Sequence, residues 1–242
     1  VQPHARTVQG ELLKAAETFL KTGVDIGGSG RTDAGVHALR QVAHLKVKSN
    51  AAKQTARQIE VGINGLLPHD INVLKAEAAP PRFHARHDAV ARYYLYRIST
   101  RRTAFGKSYV WWVRDRLNVA AMTAACAALA GRHDFHSFCE SPEKQGSTVV
   151  HVDAARVFAA GDLILFRIGA SHFLWKMVRR LVGALVEVGR GRLTPDAFRA
   201  LLDTRSNEPA AWTAPPSGLF LERVLYRGDT PPTDDRHALR FD

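Results

Sequence analysis

The stretch from Phe173 to Val188 limits the possible folds of this chain more than any other. Phe173, Met177, Leu181, Ala184 and Val188 recur at helical spacing on one face, while Trp175, Val178, Val182 and Leu185 cover most of the rest. A helix that is apolar nearly all round has no face to give to water, so the pattern predicts a helix enclosed by neighbouring layers. Arg179 lies inside this run and must either snorkel out or pair with an acid, since arginine is almost never buried alone. Arg180 better fits an ordinary surface position on the helix edge. A chain of 242 residues, 45% of them hydrophobic, can supply the enclosing core as one large domain or two modest ones.

The remaining periodicities alternate between helix and strand. Apolar positions from 7 to 22 mark one helical face, with Thr7 placed to cap it. Gln41 to Val47 alternates as a half-buried strand, 54 to 66 reads as a helix stopped by Pro68, and Ile71 to Ala76 is a further strand candidate. Pro80-Pro81 marks a boundary, giving an N-terminal α+β domain over 1–80 and a second over 81–242. In the second, strands are predicted at Asp88 to Ser99, Val149 to Phe158, Leu163 to Gly169 and Gly218 to Tyr226. Asn118 can cap an alanine-rich helix ending at Gly131, and Thr194-Pro195 opens a short one. The tail from Gly228 onward is polar and reads as loose.

Between the first helix and first strand lies Gly30-Arg31-Thr32-Asp33-Ala34-Gly35-Val36, followed by His37-Ala38 and preceded by Gly27-Gly28. Glycines let the backbone bend sharply and approach a ligand, and an Asp beside a cation is favoured in its charged form. The segment suits a poised carboxylate, and equally a glycine-rich hairpin in which Asp33 only bonds its own backbone. It is no dinucleotide fingerprint, because Asp33 stands where the third glycine is required, and no Walker lysine follows.

Two more clusters carry chemistry. Phe83-His84-Ala85-Arg86, followed by Arg92-Tyr93-Tyr94-Leu95-Tyr96, combines cations suited to phosphates with aromatic faces suited to unstacked bases. The formal net charge of +11 has the sign expected of a nucleic-acid binder. His133, His136 and Cys139 have a metal-like spacing but no evident fourth ligand, so no metal site is assigned. His37 and His44 read as packing or local bonding. Two cysteines are too few for a disulfide framework, which fits a reducing compartment, and no run of about 18 apolar residues suggests a membrane span.

Taken in order, these segments resemble the TruA-type tRNA pseudouridine synthases. The Asp33 segment is similar to that family's GRTDAGVHA, Phe83–Arg86 to its FHAR, Met177-Val178-Arg179 to its MVR, and Ala214-Pro215-Pro216-Ser217-Gly218-Leu219-Phe220-Leu221 to its C-terminal segment. The resemblance implies an α+β fold of two domains, with antiparallel sheets joined across a central basic cleft and helices outside. It implies a homodimeric cytoplasmic isomerase that converts uridine to pseudouridine at positions 38 to 40 of the tRNA anticodon stem-loop, without cofactor or metal. The catalytic residues it implies are Asp33, Tyr94 (the tyrosine eight after the FHAR arginine) and Arg179 as the partner of Asp33. Arg31, Thr32, Phe83, His84, Arg86, Tyr96 and Leu221 are implied to bind substrate.

The chain departs from the family pattern in two places. The family's first strand, with a segment like YDG…GWQ, lies ahead of the point where this sequence starts, and Gln145 to Val150 replaces an SRTP-like stretch. A non-catalytic RNA-binding protein of the same fold, a synthase for another RNA, and a hydrolase using Asp33 as nucleophile are the rival readings; the last lacks a recognisable water-activating partner.

Overall fold

The structure is a computed structural model describing residues 5–47 and 54–233. The expected acidic end of the tail, from Asp234 on, lies outside these residues. The fold is mixed, with helices and largely antiparallel sheets. Contacts divide the chain into two compact units: residues up to Arg31 with Arg40–Ala89, and Thr32–Leu39 with Val90 onward. The first unit thus runs to Ala89 rather than ending at Pro80-Pro81, and the Asp33 segment groups with the second.

In the first unit, helix α1 (Val8–Leu20) begins where Thr7 Oγ1 accepts the Gly10 N–H at 3.1 Å. It packs Ala15, Ala16 and Leu20 against Val24 and Ile26 of strand β1 (Val24–Gly28) and against Ile63 of helix α2 (Ala56–Asn64). Thr55 and Gln58 form a reciprocal capping box at the start of α2. Strand β1 was not read from the sequence, because its last two residues are the glycines ahead of the Asp33 segment. It pairs antiparallel with β3 (Ala43–Val47). Ile71 to Ala76 is not a strand. The Asn64 side chain takes the Val73 N–H and donates to the Val73 carbonyl, both at 2.8 Å, and Glu60 accepts the Ala76 N–H at 3.1 Å. Side chains of α2 therefore satisfy the backbone that a neighbouring strand would otherwise have bonded.

The second unit is built on a sheet in the order β2 (His37–Ala38), β9 (Leu219–Leu225), β4 (Ala91–Ser99), β8 (Leu163–Ala170), β7 (Val149–Ala160), β6 (Gly131–Asp134), with β5 (Trp111–Trp112) beside β4. The β2–β9 and β4–β5 pairs are parallel and the others antiparallel. One face carries Tyr96, Ile98, Phe166 and Ile168 into the main core, with helix α3 (Val119–Cys126), helix α4 (Met177–Gly189) and helix α5 (Pro195–Asp203). The expected caps hold: Asn118 accepts from Ala121 N–H and Thr194 from Ala197 N–H. Helix α4 is enclosed as its composition requires, since every residue in it except Arg179 is buried.

That helix starts at Met177, four residues later than the apolar pattern suggests. Lys176 adopts a left-handed conformation (φ 59°), the Trp175 carbonyl accepts the Glu140 N–H at 2.9 Å, and Lys176 Nζ pairs with Glu140 at 3.0 Å. Glu140 thus holds a turn where the sequence suggests continuous helix, and Trp175 lies outside α4. Arg180 is corrected as well. It is buried, donating to the Cys139 carbonyl at 2.6 Å and pairing with Glu140, and is more enclosed than Arg179. Both cysteines are free and buried. No helix among the described residues is long and apolar enough to cross a membrane.

Candidate active site

Asp33 is placed by the edge of the large sheet. Residues 37 and 38 pair with Phe220 and Leu221 of β9, and the Leu39 N–H donates to the Leu221 carbonyl at 2.9 Å. His37 secures this edge: its ring stacks on Phe220 at 5.0 Å, tilts against Tyr109 at 4.8 Å, and its Nε2 lies 3.0 Å from the Ser108 carbonyl. Just ahead, the Val36 N–H closes a turn onto the Asp33 carbonyl at 3.1 Å. Gly35 makes that turn possible. Its φ is +78°, and a Cβ there would stand 3.0 Å from the Pro216 ring.

The Asp33 carboxylate is held at both oxygens. Oδ2 accepts from Arg179 Nη1 at 3.3 Å and Oδ1 from the Trp175 indole N–H at 3.1 Å. Arg179 is itself fixed, with Nε donating to the Ala214 carbonyl at 2.7 Å and its own carbonyl accepting the Ala214 N–H at 3.1 Å. The Arg179 side chain is 14% exposed and that of Asp33 32% exposed. With about a third of its side chain exposed, the carboxylate remains open to a ligand while both oxygens are held.

Tyr94, on the core-facing side of β4, sits across from Leu221 and meets Phe173 edge-on at 4.9 Å between ring centroids. Its pKa is pushed up to about 12, chiefly by burial; the negative charge of Asp33 adds to the rise and Arg92 opposes it. Its hydroxyl therefore stays protonated across the physiological range. The structure thus brings Asp33 and Arg179 together, with Trp175 as a third member, and Tyr94 stands near enough for the Asp33 charge to reach it. Trp175 was read from the sequence only as apolar cover for the long helix. The signal that could have exposed it is the turn that Glu140 imposes, which no local spacing reveals.

The other expected site residues fare differently. Tyr96 does share the face of Tyr94 but is fully buried, its hydroxyl donating to the Pro215 carbonyl at 2.7 Å, so it supports the site rather than meeting a ligand. Leu221 is buried beneath Tyr94 on the neighbouring strand. Thr32 is exposed next to Asp33. Arg31, Phe83, His84 and Arg86 belong to the first unit, where Arg31 and Arg86 are exposed. There the Ala85 N–H donates to His44 Nδ1 at 3.2 Å, and His84 Nδ1 accepts the Arg86 N–H at 3.2 Å, so histidines shape the Phe83–Arg86 loop. Among the described residues, no group of three or more His, Cys, Asp or Glu could hold a metal ion.

A mixed α/β fold that offers a carboxylate held by a guanidinium and an indole, with a buried tyrosine nearby, defines a class of protein that presents a partly open acid to a polar substrate. A family model described as tRNA pseudouridine synthase matches residues 1–88 and 125–227. The chain is 42% identical over 228 residues to tRNA pseudouridine synthase A of Thermosipho melanesiensis, covering 93% of this chain and 92% of the relative. It is 43% identical over 234 residues to the protein of that name from Moorella thermoacetica, with the same coverage, and 40% identical over 238 residues to that from Nitrobacter winogradskyi, covering 97% and 92%. The chain belongs to the tRNA pseudouridine synthase family.

Proposed function

We propose that this protein isomerises uridine to pseudouridine in tRNA, at positions 38 to 40 of the anticodon stem-loop, with Asp33 as the acting carboxylate. The observation that carries this is the grip of Arg179 and Trp175 on the two oxygens of Asp33, whose side chain nevertheless stays 32% exposed. In the reaction the N1–C1′ bond breaks, the freed uracil turns, C5 bonds to C1′, C5 gives up its proton and N1 gains one. Atoms and electrons balance within the substrate, so the chemistry calls on no oxidant, reductant or metal.

Asp33 serves this sequence by bonding to or stabilising an electron-poor C1′, as glycosidase carboxylates do, or by removing a ribose proton. Either role needs the target nucleotide out of its stack, at a cost of a few kcal/mol that is lowest in loops and weak pairs. Once C5 carries both a hydrogen and C1′, losing the proton restores the conjugated ring. Tyr94 lies within the field of Asp33 for that step. Because its hydroxyl resists ionisation, it suits passing a proton along better than acting as a free phenolate base.

The same reading includes the arrangement the family resemblance implies: antiparallel sheets joined across a central basic cleft with helices outside, a homodimer, and a cytoplasmic location. Arg31, Phe83, His84 and Arg86 are then the first unit's contribution to RNA binding. The test is tritium release from tRNA labelled at uridine C5. Release by the wild type and none by Asp33→Asn is expected; equal release by both removes Asp33 from the chemistry.

A further inference from the structure

The segment from Arg101 to Trp112, which joins β4 to β5, has no part in holding Asp33. It nevertheless presents an unusual surface. Phe105 is 91% exposed at its tip, and Tyr109 and Trp112 are 40% and 41% exposed. The Arg102 guanidinium lies over the Trp112 ring at 5.7 Å. Arg101, Arg102 and Lys107 fall within this stretch, Arg114 follows it, and the sequence has no acidic residue from 100 to 114. A large aromatic ring left in water is costly, and several of them rimmed by cations mark a contact surface rather than scattered exposure.

The loop is also tied to the catalytic segment. His37, four residues beyond Asp33, is packed against Tyr109 and bonded at the Ser108 carbonyl, and Ser217 Oγ donates to the Val110 carbonyl at 3.2 Å. The aromatic surface therefore keeps a fixed relation to the segment that carries Asp33.

We propose that the Arg101–Trp112 loop is a second RNA-contact surface, which binds single-stranded or loop nucleotides flanking the extruded target. Phe105 stacks on a base while Arg102 and Lys107 meet the phosphates. The assignment rests on the tRNA-modifying function proposed above. Aromatic faces stack on any base and cations follow the backbone, a combination suited to unpaired RNA. Charge selects this occupant over a second copy of the chain, because two such patches facing each other would bring like charges together.

The test compares wild type, Phe105→Ala and the double variant Arg102→Gln/Lys107→Gln. Each is measured for binding to an unmodified tRNA transcript across salt concentrations, for tritium release, and for sedimentation. At 91% exposure, removing Phe105 costs no packing, so each variant is expected to fold. Phe105→Ala should weaken tRNA binding about tenfold. The double variant should flatten the salt slope by roughly two phosphate contacts. Wild-type affinity and slope in both variants, with tritium still released, overturn the surface assignment and leave the activity standing. Loss of affinity in the variants when even the wild type releases no tritium supports the surface and defeats the activity. An altered sedimentation coefficient with unchanged RNA affinity marks a contact between copies and overturns the RNA assignment.

Discussion

One carboxylate–guanidinium pair lies within the large sheet and another beside it, and they are built differently. On the face away from the main core, Arg167 and Glu222 meet through two parallel bonds of 2.8 and 2.6 Å, with side chains 3% and 10% exposed. On the helix side, Arg179 gives Asp33 a single bond of 3.3 Å, Trp175 supplies the other, and a third of the acid's side chain remains open. The fork-to-fork pair is almost fully buried, so neither partner is within reach of a ligand. The Asp33 pair divides its donors between two residues so that neither encloses the acid. A sealed pair belongs to the architecture; a pair that stays partly exposed can serve chemistry.

Substitutions should separate these two designs. Asp33→Asn is expected to lower tritium release by roughly 10⁴-fold or more while the melting temperature hardly moves. Glu222→Gln should do the reverse. It leaves a buried guanidinium without its anion, costing about 3–5 kcal/mol, or roughly 6–20 °C in melting temperature, with turnover per folded molecule retained. A large stability loss in Asp33→Asn, or none in Glu222→Gln, would erase the distinction. Trp175→Phe is a finer probe, since it keeps a ring and deletes only the donor. Hydrogen bonds to charged groups contribute about 1.5–3 kcal/mol, so kcat should fall roughly 10- to 100-fold with KM little changed, and Trp175→His, which restores a donor, should recover part of it. An unchanged kcat in Trp175→Phe would leave Arg179 as the sole partner that matters.

What the sequence disclosed follows the range of the forces involved. The caps at Thr7, Asn118 and Thr194, the alternation of β4 and the strand runs of β7 and β8 are local, and they stand where the sequence puts them. The pairing of Asp33 with Arg179 joins residues 146 positions apart; the apolar run left Arg179 either to reach water or to pair with an acid, and only the family resemblance pointed to Asp33. Trp175, the burial of Arg180 and the loss of the Ile71–Ala76 strand were not legible. Each is decided by a polar side chain from elsewhere in the chain, Glu140 in the first two cases and Asn64 in the third. Hydrophobic periodicity carries no record of such bonds.

The smallest expected effect extends the comparison to the first unit, where a titratable group is buried without an opposite charge to pair with. His44 is 8% exposed, and its Nδ1 accepts the Ala85 N–H, so the neutral ring holds the Phe83–Arg86 loop. The Gly27 backbone lies against it so closely that a Cβ there would stand 2.5 Å from the ring. Burial, first, and then the nearby His84 and Lys46 push its pKa below the ordinary 6.5, with Asp25 opposing. The unfolded chain therefore takes up this proton before the folded chain does. The stabilisation is complete above about pH 6.5 and is lost as the pH falls toward the folded value. Acidification should loosen the loop, seen as a lower protection factor for the Ala85 amide and weaker tRNA binding, and His44→Gln, which keeps an acceptor but cannot titrate, should remove that component of the pH dependence. If the variant keeps the full acid sensitivity of the wild type, the loop is governed by another group and burial alone does not set the behaviour of His44.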